Sequence, residues 1–117
     1  MEPRSSSTSA VVLVAHGSRA AGANRAHLDL EDSLDDRIDP TVIGAFMELA
    51  EPSVGDAVRR AADGGATTIA VLPYFLHPGR HQQKDIPELV AEAAETRPGV
   101  DVTVVEHFGS DPGVLDL

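Results

Sequence analysis

The sequence predicts an α/β domain on a four-stranded parallel sheet, strand order 2-1-3-4, with helices flanking the sheet. Three observations carry that expectation. Apolar, β-branched runs alternate with segments whose apolar residues recur every three to four positions. The connections between them are short, and strand–helix–strand units of this kind cross over right-handed into a parallel sheet. Finally, the earlier runs are continuously apolar while the last alternates, which places the former in the centre and the latter at an edge. The result is half of a doubly wound fold.

Met1–Ser9 is polar and rich in Ser and Thr, and reads as a flexible tail (1–9) ahead of a single domain spanning 10–117. Ala10–Ala15 is the first strand. Ala23, Ala26, Leu30, Leu34 and Ile38 then mark an amphipathic helix, and Asp29, Glu31, Asp32, Asp35 and Asp36 read as its solvated face rather than a metal site. Thr41–Met47 is the second strand. Pro52-Ser53 opens a second helix, with Asp56 three residues on and a stripe of Val54, Ala57, Val58, Ala61 and Ala62, stopped by Gly64-Gly65. Thr67–Pro73 is the third strand and Tyr74–Gln83 a loop. Asp85 and Glu88 then cap a third helix with the stripe Ile86, Leu89, Val90, Ala93 and Ala94. Pro98-Gly99 ends it, and Val100, Val102 and Val104 alternate with Asp101 and Thr103 as an edge strand. Asp111-Pro112 reads as the start of a fourth helix.

Composition narrows the functional classes. A chain of 117 residues with 42% hydrophobic residues supports one modest core and not two. The absence of Cys rules out disulfides, thiolate metal sites and a Cys nucleophile. The longest apolar run is too short to span a bilayer, and no signal-peptide pattern precedes it, so a cytoplasmic protein without a membrane partner is expected. The formal net charge of −10 argues against nucleic acid as a partner. Lys84 is the one Lys among nine basic residues, and such an acidic, Lys-poor surface is compatible with a high-salt interior.

In open parallel sheets ligands bind beyond the carboxyl ends of the strands. Four of the five histidines fall there: His16 after the first strand, His77 and His81 after the third, His107 after the fourth. Glu48 ends the second strand, and Phe46, Tyr74, Phe75 and Phe108 lie at the same edge; His27 alone sits on a helix. Polar residues are common in such loops, and Phe46 and Phe75 are read as packing. Imidazole with carboxylate nevertheless forms a borderline donor set for Fe²⁺, Co²⁺, Ni²⁺ or Zn²⁺, and without thiolates the ion can leave again.

Three blocks sharpen this reading. Leu13-Val14-Ala15-His16-Gly17-Ser18-Arg19 with Ala23-Asn24, then Phe46-Met47-Glu48-Leu49-Ala50-Glu51-Pro52-Ser53, then Leu72-Pro73-Tyr74-Phe75-Leu76 with Gly79, His81 and Asp85-Ile86-Pro87 resemble, in order, the short CbiX-type sirohydrochlorin chelatases. The resemblance implies a class II chelatase that inserts Co²⁺ or Fe²⁺, with Ni²⁺ in some members, into sirohydrochlorin without ATP or an organic cofactor, for cobalamin or sirohaem synthesis. It implies His16 and His81 as the metal-handling histidines and Glu48 as their acidic partner, Glu51 being the lesser alternative; His77 is not carried over. Because related chains carry two such halves, a homodimer is expected.

The substrate is a polycarboxylate. Arg19, Arg25, Arg80 and Lys84 gather in sequence around the two His loops and form a candidate basic rim, with Tyr74 and the backbone N–H groups of Ser18 and Arg19 as further substrate contacts. The alternative is that these bases only pair with neighbouring acids. Two other functions use overlapping residues. A phosphohistidine transferase would need Arg before His16, where Ala15 stands. A carrier that binds metal or tetrapyrrole without turnover needs the same residues as the enzyme.

Overall fold

The computed structural model describes residues 8–77 and 79–117, with the side chains of residues 80–82 outside the description. Strands β1 (Ser9–Ala15), β2 (Thr41–Phe46), β3 (Thr68–Pro73) and β4 (Asp101–Val104) form one parallel sheet in the order β2-β1-β3-β4. Helices α1 (Ala21–Asp35), α2 (Val54–Asp63) and α3 (Arg80–Glu95) make the crossovers. The predicted fold class is therefore the observed one.

Strand alternation divides the side chains between two faces. Val12 and Val14 of β1, Ile43 and Ala45 of β2, and Ile69 and Val71 of β3 join Val54, Ala57, Val58 and Ala61 of α2 and Ile86, Val90 and Ala93 of α3 in one buried cluster. The predicted stripes of α2 and α3 are thus the packed ones. Ser53 caps α2 by accepting a hydrogen bond from the Asp56 amide at 3.2 Å.

Helix α1 covers the opposite face, and its inward side differs from the prediction. Ala23 and Ala26 are exposed and Ile38 lies beyond the helix, whereas His27 is buried and Asn24, Glu31 and Leu34 are half-buried. Hydropathy misplaces this face because polar side chains point inward to bond the sheet. His27 Nε2 lies 2.9 Å from the Leu13 carbonyl. Glu31 and Asp35, assigned above to a solvated face, accept hydrogen bonds from the Gly44 and Val42 amides on the outer edge of β2.

Three further boundaries depart from expectation. Strand β1 begins at Ser9, inside the segment read as tail; residues 1–7 lie outside the described residues. Helix α3 begins at Arg80, so Asp85 and Glu88 sit within it rather than capping it, and Gly79 is its N-cap without a side-chain bond. Its first turns, Arg80 to Lys84, carry no apolar residue to announce a helix. The stretch after Asp111 forms a 3₁₀ segment, Pro112–Asp116, capped by Asp111 accepting from the Gly113 amide at 2.7 Å, rather than an α-helix.

Candidate active site

The site is assembled where β1 and β2 end. Their pairing continues past the strands: the Met47 amide donates to the Ala15 carbonyl at 2.9 Å and the Glu48 amide to the His16 carbonyl at 3.1 Å. Neighbouring backbones thereby bring two distant side chains together, and His16 Nε2 stands 3.2 Å from Glu48 Oε2. Both remain open to solvent, at 53% and 59% side-chain exposure, so the pair can meet an incoming ion. The loop then turns back, the Phe46 amide donating to the Pro52 carbonyl at 2.9 Å just before α2 begins.

His16 follows the alternation of Val12 and Val14 onto the α2–α3 face and opens into a cleft of about 460 Å³. Met47 and Leu89 give this cleft apolar wall, and Glu48, Asp85, Glu88 and Glu92 give it carboxylates. The three acids of α3 are spaced three and four residues apart, which aligns them on one helix side. That spacing is the signal by which sequence reading could have found them; the expectation of a cap at Asp85 concealed it. Among the described residues no three His, Asp or Glu converge tightly enough to hold an ion. The cleft instead presents diffuse negative potential, which concentrates divalent cations and repels a polycarboxylate.

His81 lies in the first turn of α3, and its side chain, like that of Arg80, lies outside the described residues. Arg19 and Lys84 are exposed, and neither is among the residues that line the acidic cleft. The expectation for the Ser18 amide needs correction: it donates to Asn24 Oδ1 at 3.0 Å, while Asn24 Nδ2 donates back to the Ser18 carbonyl at 2.7 Å. That N–H is therefore engaged within the loop and is not spare for a carboxylate.

Tyr74 falls on the other face of the sheet. Its ring sits 6.1 Å from that of His27 and 4.9 Å from that of Phe108, and His27 in turn meets Phe46 edge-on at 5.2 Å. His27, set apart by the sequence, thus belongs to an aromatic row beneath the same rim. Phe46 is buried as expected. Phe75 and His107 line a separate pocket of about 220 Å³ between α3 and β4, and His77 is exposed on the loop after β3.

An exposed imidazole–carboxylate pair thus stands at the carboxyl rim of a half doubly wound sheet. Residues 10–117 match the CbiX family model. The chain belongs to the CbiX family. It is 36% identical to the chloroplastic sirohydrochlorin ferrochelatase of Arabidopsis thaliana over 92% of its own length and 48% of that protein. It is 33% identical to the sirohydrochlorin cobaltochelatase of Methanopyrus kandleri over 92% of this chain and 90% of the other. The sirohydrochlorin chelatase SirB of Bacillus subtilis subspecies spizizenii, solved in complex with cobalt, superposes with a TM-score of 0.83 at 30% identity, covering 93% of this chain and 47% of that one. This CbiX chain therefore spans about half of the plant ferrochelatase and of SirB, and most of the archaeal cobaltochelatase.

Proposed function

We propose that this CbiX chain inserts a divalent metal, Co²⁺ foremost, into sirohydrochlorin without ATP. The observation that carries the proposal is the His16–Glu48 pair, 3.2 Å apart and facing solvent at the strand ends. Metallation replaces two ring N–H protons by one M²⁺, releasing two protons. The protein must therefore present the ion and accept or relay those protons. A neutral imidazole can do either near neutrality. In this reading His16 and His81 hold the ion against the ring face, and Glu48 orients the imidazole, compensates charge and relays a proton. The carboxylate-lined cleft beside His16 gives the cation an attractive approach, and its carboxylates favour entry of the like-charged macrocycle from another side. Arg19, Arg80 and Lys84, with Tyr74, are assigned to the tetrapyrrole and its carboxylates.

The names of relatives support sirohydrochlorin as substrate and divide between cobalt and iron as the metal. Cobalt is placed first because the match to the archaeal cobaltochelatase runs along 90% of that protein's length. We place the chain in the cytoplasm as a homodimer; among the described residues no helix is long and apolar enough to cross a membrane.

The test is an optical assay of sirohydrochlorin with Co²⁺ and, separately, with Fe²⁺. Many metallated products per site are expected with wild type. His16→Ala and His81→Ala should each slow insertion by about a hundredfold or more, the scale for losing a positioned proton-transfer group. One equivalent bound without turnover would identify a carrier, and faster insertion of Fe²⁺ would reverse the order of metals.

A further inference from the structure

Gly17 follows His16 directly and has a backbone φ of +101°, a region that side chains other than glycine rarely adopt. A Cβ placed there would stand 1.8 Å from the Glu48 carbonyl oxygen and 2.9 Å from its carbon. The contact is with backbone, so no rotamer change relieves it. Its position is specific: it lies between the two residues of the site, beside the bond from the Glu48 amide to the His16 carbonyl.

The two sides of this contact differ in their freedom. The Gly17 side is tied to α1, because Asn24 bonds both the amide and the carbonyl of Ser18 and the Ala20 amide donates to Ser18 Oγ at 3.0 Å. Glu48 instead leads into an exposed turn in which Leu49 has a φ of 67° and is 57% exposed. Added volume at position 17 would thus displace Glu48 from His16, rather than His16 from the sheet.

We infer that Gly17 is a positioning residue: by keeping the β1 and β2 loops in backbone contact, it sets the His16–Glu48 distance on which metal handling depends. The inference rests on the proposed chelatase site, though its effect on the pair can be read without metal or substrate.

The test compares Gly17→Ala with Gly65→Ala and Gly22→Ala. Gly65 also has positive φ, +110°, but a Cβ there meets nothing within 4 Å; Gly22 has neither constraint. Gly65→Ala therefore reproduces the backbone strain away from the site. The His16 ring resonances, observed by NMR at fixed pH without metal, should move in Gly17→Ala to those of Glu48→Ala, and stay at wild-type values in the two controls. Co²⁺ affinity, titrated through its visible absorption, should fall about tenfold or more in Gly17→Ala, the usual effect of losing an orienting partner. In a Glu48→Ala background the same change should add less than about twofold, because the pair is already gone. Wild-type ring shifts in a folded Gly17→Ala, or losses that multiply in the double variant, overturn the inference. A wild type that turns over no sirohydrochlorin sinks the enzymatic reading instead and leaves the NMR comparison decisive for Gly17.

Discussion

His16 and Glu48 are 32 positions apart in sequence and meet because two parallel strands end side by side. The pair is solvent-exposed, so its attraction alone adds little stability, and its value lies in orientation. Glu48→Gln keeps the shape of the side chain and removes its charge and its proton-accepting strength. We expect insertion by this variant to fall by about ten- to a hundredfold, with melting temperature within a degree or two of wild type; unchanged single-turnover rates would remove Glu48 from the chemistry. Both residues were legible as candidates from the strand ends, and their partnership from the family resemblance. The polar contacts on α1 were not. Glu31 read as outward, and Asn24 and His27 stood outside the apolar stripe, because hydropathy scores a residue, not its partner, and each has a backbone partner in or beside the sheet.

At the scale of elements, loops are fixed by close backbone approaches and helices by their ends. Gly109 repeats the device seen at Gly17: a Cβ there would lie 1.9 Å from the Leu76 carbonyl oxygen, and its amide donates to the Phe75 carbonyl at 2.8 Å. The 3₁₀ turn Phe108–Ser110, which contains Gly109, is thus a backstop for the loop between β3 and α3. Helix α2 is joined to the far end of α3 through Asp63, whose carboxylate takes two bonds from Arg97 at 2.7 and 3.0 Å. That guanidinium holds Asp63 below its ordinary value of 3.8, and a hydrogen bond from Arg59 does the same for Asp56. A lowered folded-state value means stability that is complete above the ordinary one and is lost as pH falls through the lowered one. Asp63→Asn should therefore melt below wild type at pH 6, and the two curves should converge as pH drops below about 4; a constant gap in calorimetry would contradict this. The start of α3 was illegible for a different reason. Helical periodicity needs apolar residues to register, and residues 80–84 offer none.

Over the whole molecule, the topology followed from the alternation of runs and crossovers, since handedness and centre-to-edge hydropathy leave few strand orders open. The pairing of faces was less legible. A parallel sheet is normally covered on both sides, yet among the described residues α1 is the only α-helix on its face. Leu72 and Val105 of the β3–β4 side border a cavity of about 480 Å³, and Leu76, Leu115 and Leu117 are exposed nearby. A second copy set against that surface would supply the missing layer and add wall for a flat macrocycle. Light scattering at micromolar concentration should accordingly give twice the 12.3 kDa of one chain, and substituting Asp for Leu72 should return the single-chain mass. The outer edge of β2 leads to a different consequence. The Val42, Gly44 and Phe46 amides on that edge are all taken, by Asp35, by Glu31 and by the Pro52 carbonyl. An intruding strand would find no donor there, so this rim resists runaway polymerisation without Pro or Lys as a guard, and any lengthening of the sheet is steered to β4.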